Sequence, residues 1–450
     1  MAGAVIILAA GKGTRMRSDL PKVLHPIGGA PMLIHAMRSA RSFSPDRTVI
    51  VAGHGADAVE AAAKSFDPAA SVVLQTEQNG TAHATDQARD ILSDYSGDAV
   101  VLFGDTPFIS PETLASVFEA RTSGADVVVL GFDAEDPHGY GRLICNGPIL
   151  TEIVETKDAS PEQLKVGLCN SGVMAADRET LFDLISAVQP HNAQGEYYLT
   201  DIVAIANDRG LRCEVVTCPE AETLGVNSRS DLASAERIFQ QRARDTAMAG
   251  GATLVDPSTV YFAHDTQIGK DVVIEPNVFF GPAVSISDNV TIKAFCHLEA
   301  CTIAEGAQIG PYARLRPGTK IGPNGKIGNF VEAKNADVQD GAKVNHLSYV
   351  GDATVGPRAN IGAGTITCNY DGVFKHHTDI GADAFIGSNS ALVAPVKIGA
   401  DALVGSGTVV TMDVADGDLT LARPRQTNKP GFGAKLKARL RDLKRNGKRP

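Results

Sequence analysis

Tryptophan is absent from the 450 residues, and aromatic residues make up only 5%. A core short of aromatics has to be filled by small aliphatic side chains. Paired CxxC spacing is missing too: the seven cysteines (Cys145, Cys169, Cys213, Cys218, Cys296, Cys301, Cys368) are scattered and odd in number. That excludes a disulfide framework and suits reduced thiols in a cytoplasmic protein. The N-terminus lacks the basic flank and small-residue cleavage site of a signal peptide, so no secretory leader is expected. No apolar run approaches the roughly 20 residues of a membrane span, so stable membrane insertion is not expected. Positive charge is in deficit, with a net charge of −10, which argues against a protein that coats nucleic acid. What remains is a chain 43% hydrophobic and 21% charged, long enough for two or three globular domains.

The most ordered pattern lies in residues 268–410. Ile268, Ile274, Phe280, Ile286, Ile292 and Leu298 are six apart. After one shortening the ladder resumes at Ile303, Ile309, Leu315, Ile321 and Ile327. It continues through Val338, Val344, Val350, Val355 and Ile361, and again through Ile380, Ile386, Leu392, Ile398 and Val404. A period of six fits neither a helix nor a flat sheet. It fits a solenoid of short strands and tight corners with one aliphatic side chain per edge pointing inward, and about eight coils at three hexads each. A β-sandwich with regular turns is the alternative, but sandwiches do not hold such a register this long. The pattern resembles the hexapeptide-repeat acyltransferases. That resemblance implies a left-handed parallel β-helix and a homotrimer; the spacing alone indicates only a β-solenoid.

The first half alternates apolar runs with helical stretches, as in a mostly parallel, Rossmann-like α/β sheet. Residues 4–10 (AVIILAA) run straight into Gly11-Lys12-Gly13-Thr14-Arg15-Met16. A Gly-rich loop after a strand can turn its N–H groups toward phosphates. Met16 stands where a dinucleotide fingerprint has its third glycine, and the GK[ST] ending of a Walker A loop is missing. Further strands are expected at 48–52, 71–75, 99–103 and 126–132. Gly11, Gln75, Gly80, Thr81 and Asp105 all fall at or just past strand ends, where open α/β sheets bind ligands. Asp105 is a hard carboxylate suited to Mg²⁺. Gly141 sits in a turn open to close approach, Glu155 offers an acceptor for hydroxyls, and Asn170 offers an amide. Residues 228–248, free of Pro and Gly, read as one exposed helix joining two domains.

In the solenoid, Arg316 and Lys334 are 18 residues apart, one full coil, so the two cations should stack. His346 and Tyr349 follow, then Asn360. The hexad register fails over 367–377 (TCNYDGVFKHH), which reads as a loop ejected from the coil, and loops on rigid scaffolds often carry function. His is the usual base near neutral pH for an amine that must lose a proton as it attacks a thioester. Residues 435–449 carry eight basic residues with Leu436, Leu440 and Leu443 at helical spacing. This segment could grip an anion or a membrane surface; a solvated, partly disordered end is the simpler expectation.

The string Leu8-Ala9-Ala10-Gly11-Lys12-Gly13-Thr14-Arg15-Met16 with Pro21-Lys22 resembles the signature of the sugar-1-phosphate nucleotidyltransferases. Joined to a solenoid carrying NHLSYVGD and IGAGTITCNYDG, it resembles the bacterial bifunctional family that acetylates glucosamine-1-phosphate and then couples the product to UTP. The match covers nearly the whole chain. Phe103 is a departure, because many family members have Tyr before the Gly-Asp pair.

The resemblance implies that UTP lies on Leu8, Ala9, Ala10, Gly11, Lys22, Gln75, Gly80 and Thr81, with Lys22 neutralising phosphate. N-acetylglucosamine-1-phosphate falls on Gly141, Glu155, Asn170 and Asn227, and Mg²⁺ on Asp105 and Asn227. In the solenoid, Arg316, Lys334, Tyr349, Asn360, Asn369, Tyr370 and Lys375 bind glucosamine-1-phosphate, with His346 as base. Acetyl-CoA lies near Ala363, Asn369, Tyr370, Ser388, Ser406 and Arg423, between neighbouring subunits. The implied boundaries are 1–227, a helical linker at 228–250, the β-helix at 251–424 and a basic tail at 425–450. Two other readings stay open: a different nucleotidyltransferase whose solenoid serves only oligomerisation, and a non-enzymatic assembly protein with a degenerate first domain.

Overall fold

An apolar strand with no polar face must be covered on both sides. In the computed structural model, which describes residues 3–192, 194–447 and 449, Ala4–Ala9 is such a strand, buried throughout. Ala4, Ile6 and Leu8 enter one hydrophobic layer, while Val5, Ile7 and Ala9 enter the other. Helices Met32–Arg41, Ala56–Phe66 and Pro111–Thr122 cover the second layer, through residues such as Leu33, Val59 and Leu114. Helices Arg178–Ala187 and Ile202–Asp208 cover the first through Leu181 and Ile202. Each aliphatic side chain buried this fully is worth about 1.5–3 kcal/mol.

The chain divides into two units: Met1–Thr246 with Phe262–His264, and Ala247–Tyr261 with Asp265–Pro450. The first holds a nine-stranded sheet. Its order is Ser71–Leu74, Arg47–Ala52, Ala4–Ala9, Asp98–Phe103, Leu168–Asp177, Val127–Asp133, Cys213–Thr217, Ile149–Val154, Arg142–Asn146. Within it only Leu168–Asp177 and Ile149–Val154 run against the rest. The first four strands are parallel, so the residues following them gather at one edge. The antiparallel strand in mid-sheet has no counterpart in the sequence reading, which gave Asn170 as an amide without placing it on a strand. Its pairing slips between Asn170 and Met174, where the Ser171 hydroxyl donates to the Leu130 carbonyl at 2.7 Å.

Residues 228–248 correct the expectation of an exposed helix. Arg229–Ala249 is helical, but its Ala235 and Phe239 pack with Ile27, Met32 and Phe108. Gln240 is buried, donating to the Phe262 carbonyl at 2.7 Å and accepting from the Phe262 N–H at 2.8 Å. A polar composition concealed an inward face made partly of polar side chains.

The second unit is a parallel β-helix of strands mostly two to four residues long. Its three faces stack in register. One column is Ile274, Ile292, Ile309, Ile327, Val344, Ile361, Ile386, Val404. Another is Phe280, Leu298, Leu315, Ala333, Val350, then Thr367, Leu392 and Val410. Ala333 and Thr367 fill rungs that the aliphatic ladder left blank. Thr367 is tolerated inside because its hydroxyl accepts from the Gly351 N–H at 2.8 Å and donates to the Gly351 carbonyl at 3.0 Å. The array also outruns residues 268–410: one face has ten strands, from Thr253–Leu254 to Leu419–Thr420, against the eight coils expected.

The ejected loop is shorter than its sequence suggested. Ile366–Cys368 stays in the coil as a strand, and only residues 369–377 leave it, closed by a bridge between Tyr370 and Lys375. Phe432–Arg445 is a helix, formed where Leu436, Leu440 and Leu443 are spaced for one, and it buries none of its residues, as expected of a solvated end. Lys448, one of the eight basic residues, lies outside the described residues. Among the described residues no helix is long and apolar enough to cross a membrane.

Two candidate active sites

The parallel edge of the first unit opens into a cavity of about 310 Å³. Leu8, Ala9, Ala10, Gly11, Lys22, Gln75, Gly80, Thr81 and Asp105 all line it. Gln78 and Glu196 line it as well, and the sequence reading missed both. Gln78 reaches across to donate to the Ala10 carbonyl at 2.8 Å, pinning the wall beside Gly11. Gly80 is needed for close approach. At φ 107 its missing Cβ would lie 2.4 Å from the Tyr197 carbonyl oxygen, and Ala82 N–H bonds to that same oxygen at 2.9 Å. The stretch around Glu196–Tyr198 therefore frames this cavity. The Thr81 hydroxyl is already engaged, accepting from the Leu199 N–H at 2.9 Å.

Thr81 and Phe103 also border a second cavity of about 270 Å³, which holds Gly141, Glu155 and Asn170. Asn170 N–H donates to the Gly141 carbonyl at 2.9 Å, and its side-chain oxygen accepts from Gly172 N–H at 2.9 Å. Burial, reinforced by the charges of Asp158 and Asp201, pushes the Glu155 carboxyl above its ordinary value. Asn227 lines neither cavity. It is tied in through Lys22, whose ammonium is ion-paired with Asp105 and donates to Asn227 Oδ1 at 3.1 Å. Two hard oxygens thus converge on one cation. The same donor set suits Mg²⁺, which takes few protein ligands and fills its shell with phosphate and water.

In the β-helix the register sorts the remaining candidates into columns. Asn329 and His346 pair directly, and the same column continues through Ala363, Ser388 and Ser406. Backbone bonds follow it: Leu347 N–H to Asn329 O, Gly364 N–H to His346 O, Asn389 N–H to Ala363 O and Gly407 N–H to Ser388 O. Arg423 donates to the Ser406 carbonyl. His346 therefore shares one column with Ala363, Ser388 and Ser406, with Arg423 bonded at its end, whereas Asn369 and Tyr370, also expected near the acyl donor, lie on the loop instead. Asn329, which sequence reasoning missed, has its side-chain oxygen 2.5 Å from His346 Nδ1. An amide oxygen only accepts, so Nδ1 carries the proton and Nε2 is left as the basic nitrogen. The 17-residue coil spacing between Asn329 and His346 was the available signal.

One face further on lies the cation column. Arg316 and Lys334 stack, as Arg314↔Glu332 and Leu315↔Ala333 pair beside them. The loop brings Lys375 against Lys334. Contact with the Lys375 ammonium, then its charge and that of Arg316, lowers the Lys334 pKa. Three cations this close call for a polyanion such as phosphate. Arg316 is braced by Glu332 at 2.8 Å. Asp352 anchors the loop, accepting from Asn335 at 2.7 Å and Asn369 at 2.5 Å. Burial pushes its pKa up, but these bonds and the nearby Lys375 and Lys334 charges bring it net down. Asp371 organises the loop interior: the His376 hydrogen bond and the Phe374 and Val373 N–H groups hold its pKa down to about 2. Tyr349 folds over Gly351, where a Cβ would lie 2.4 Å from the Tyr349 hydroxyl. Tyr370 is exposed on the loop. Asn360 stands apart from the cations, at the start of the neighbouring face between Lys343 and Phe385.

On the outer side of His346 a cavity of about 420 Å³ is lined by Tyr312, Phe330, Lys293 and Lys326. Tyr312 stacks between Phe330 and Phe295, with centroids 5.1 and 4.8 Å away.

Comparison with known proteins adds identity to this geometry. Residues 5–218 match the MobA-like NTP transferase domain, and residues 300–334 and 377–411 match the bacterial transferase hexapeptide (six repeats). A protein from Roseobacter denitrificans named bifunctional protein GlmU is 58% identical, over 99% of this chain and 98% of its own. One of the same name from Ruegeria sp. is 58% identical over 99% of both chains. Another from Paramagnetospirillum magneticum is 52% identical, over 97% of this chain and 96% of its own.

Proposed function

The chain belongs to the bifunctional GlmU family, and from that premise we propose how its two units divide the work. It is a transferase with two activities, an acetyltransferase and a uridylyltransferase of UDP-N-acetylglucosamine synthesis. Acetyl transfer belongs to the left-handed β-helix and uridylyl transfer to the α/β unit.

In the β-helix, the phosphate of glucosamine-1-phosphate binds Arg316, Lys334 and Lys375. Tyr349, Asn369 and Tyr370 border the sugar. Acetyl-CoA lies along Ala363, Ser388, Ser406 and Arg423. The amine attacks the thioester carbonyl, Nε2 of His346 takes the amine proton, and the CoA thiolate leaves. Asn360, set apart from the cations within one chain, reaches the sugar from a neighbouring subunit of a homotrimer. In the α/β unit UTP occupies the cavity over Gly11, Gln75 and Gly80. N-acetylglucosamine-1-phosphate occupies the adjoining one over Gly141, Glu155 and Asn170. A phosphate oxygen of the sugar attacks the α-phosphorus in line, and pyrophosphate leaves. No protein nucleophile is needed, so positioning and charge neutralisation carry the rate. Asp105 and Asn227 would hold Mg²⁺, which supplies neutralisation of triphosphate charge when bound. The substrates, and seven cysteines free of disulfides, suit the cytoplasm.

The observation that carries this reading is the β-helix column of Asn329 and His346 beside three cations, which a solenoid used only as a scaffold has no reason to build. A coupled assay tests it: glucosamine-1-phosphate, acetyl-CoA, UTP and Mg²⁺ are supplied, and free thiol and pyrophosphate are followed separately. Both should appear, with pyrophosphate lagging thiol. Pyrophosphate from added N-acetylglucosamine-1-phosphate without any thiol release would reduce the β-helix to a scaffold.

Two narrower outcomes follow. Gly351→Ala has to swing Tyr349 off the sugar site, so KM for glucosamine-1-phosphate should rise about tenfold, with uridylyl transfer unchanged. The raised Glu155 pKa sets the second. As pH falls through that value the carboxylate protonates and stops accepting from a sugar hydroxyl. The acid limb of uridylyl kcat/KM should therefore lie above the ordinary carboxylate range, and Glu155→Gln should lower kcat/KM at neutral pH and flatten that limb.

A further inference from the structure

The two oxygens that suit a divalent ion already hold a cation, the ammonium of Lys22. The Lys22 and Asp105 side chains are 12% and 18% exposed, so the pair is mostly out of water. The main chain beside each oxygen is held from elsewhere, and both side chains are short. Asp105 follows the strand Asp98–Phe103, and its carbonyl accepts from Val226 N–H at 3.0 Å. Asn227 N–H donates to Asp231 Oδ2 at 3.0 Å. The partner able to move is the lysine, whose charge sits on a flexible four-carbon stem.

We propose that Lys22 is a resident cation that keeps the divalent ion out of the empty nucleotide site and is exchanged for it when the triphosphate binds. This rests on the reading of Asp105 and Asn227 as the metal ligands. An ammonium seated on Asp105 Oδ2 and Asn227 Oδ1 competes with a divalent ion for those same oxygens, and like charges at contact distance repel. With no nucleotide bound, the ammonium balances the shielded carboxylate and spares the site an uncompensated charge. Lys22 also lines the 310 Å³ cavity. A triphosphate placed there is the stronger anion, so the ammonium turns to it and frees Asp105 and Asn227. The metal then arrives with the nucleotide or after it, never before. One side chain thereby couples two binding events and prevents the metal from organising water in a site without substrate.

The consequence is opposite in sign to the usual loss on removing a lysine from a catalytic site: deleting the ammonium should improve metal binding. The test titrates the full chain with Mn²⁺, without nucleotide, and counts free Mn²⁺ by electron paramagnetic resonance. Lys22→Met should bind Mn²⁺ at least about tenfold tighter than the parent, since no charge-assisted contact has to be broken first. Lys22→Gln should do the same, which guards against a local disturbance by methionine. Lys22→Arg should bind as weakly as the parent, and Lys22→Met with Asp105→Asn should lose the gain. A second arm adds a non-hydrolysable UTP analogue to the parent and to Asp105→Asn. Metal held through Asp105 in that arm, with no gain for Lys22→Met or Lys22→Gln in the first, overturns the exchange and keeps the metal assignment. Tight Mn²⁺ binding by the nucleotide-free parent also overturns it. If neither arm needs Asp105, the metal assignment itself fails.

Discussion

His346→Ala is expected to lower acetyl transfer by about 10²–10⁴-fold while uridylyl transfer to added N-acetylglucosamine-1-phosphate continues at the parent rate. The argument is geometric. His346 stands in the column that leads through Ala363, Ser388 and Ser406 to Arg423, and its Nδ1 is fixed by Asn329. That leaves Nε2 as the basic nitrogen, on a column one face away from the three cations. Asn329→Ala tests the same arrangement more gently. It removes the acceptor for Nδ1–H, so either nitrogen can carry the proton. The loss should be smaller, about 10–100-fold by analogy with outer partners of other reactive histidines. Asn329→Asp keeps an acceptor and should recover much of it, with the pH profile of kcat moved upward because a carboxylate stabilises the imidazolium. A scaffold residue would show none of this ordering. The measurement is thiol release under saturating acetyl-CoA, with the uridylyl rate on the same preparations as an internal check of folding.

The β-helix was legible because its rule is local: one buried aliphatic side chain every six residues. The rule broke where chemistry or volume changed. Ala333 is small and Thr367 is polar, so neither registers as a rung, yet both are buried. The omission of Thr367 made the ejected loop look longer than residues 369–377. Contacts between coils were harder to see. Asn329 braces His346 from 17 residues away, Gly351 makes room for Tyr349, and Asp352 binds Asn335 and Asn369. Each depends on which residues stack, and coils of 17, 18 and 25 residues blur that count. In the α/β unit the strand-end residues were legible because buried parallel strands are continuous apolar runs. Leu168–Asp177 was not, since Asn170, Ser171 and Gly172 interrupt it with polar and flexible residues that normally mark a turn. The helix Arg229–Ala249 misled for the converse reason. Its buried residues include Gln240 and Arg244, which composition assigns to the surface.

Asp105→Ala should be the mirror image of His346→Ala: uridylyl transfer down by about 10³-fold, the several kcal/mol a metal contributes to charge stabilisation, with thiol release from acetyl-CoA unchanged. Two roles for Asp105 predict different behaviour of the conservative variant. If its part is to hold Lys22 in place, Asp105→Asn retains an acceptor for the ammonium and should keep most of the activity. If its part is to bring net negative charge to a divalent ion, the amide is a poor substitute. Asp105→Asn should then be nearly as slow as Asp105→Ala. The second outcome is the expected one, because Lys22 already has a neutral acceptor in Asn227 at 3.1 Å and gains little from another. Raising Mg²⁺ separates the two further. A weakened ligand set is partly rescued by excess metal, whereas a misplaced lysine is not. Pyrophosphate release by Asp105→Asn measured across a Mg²⁺ series, alongside Lys22→Arg, decides between them: recovery with metal in the first and none in the second assigns the carboxylate to the ion.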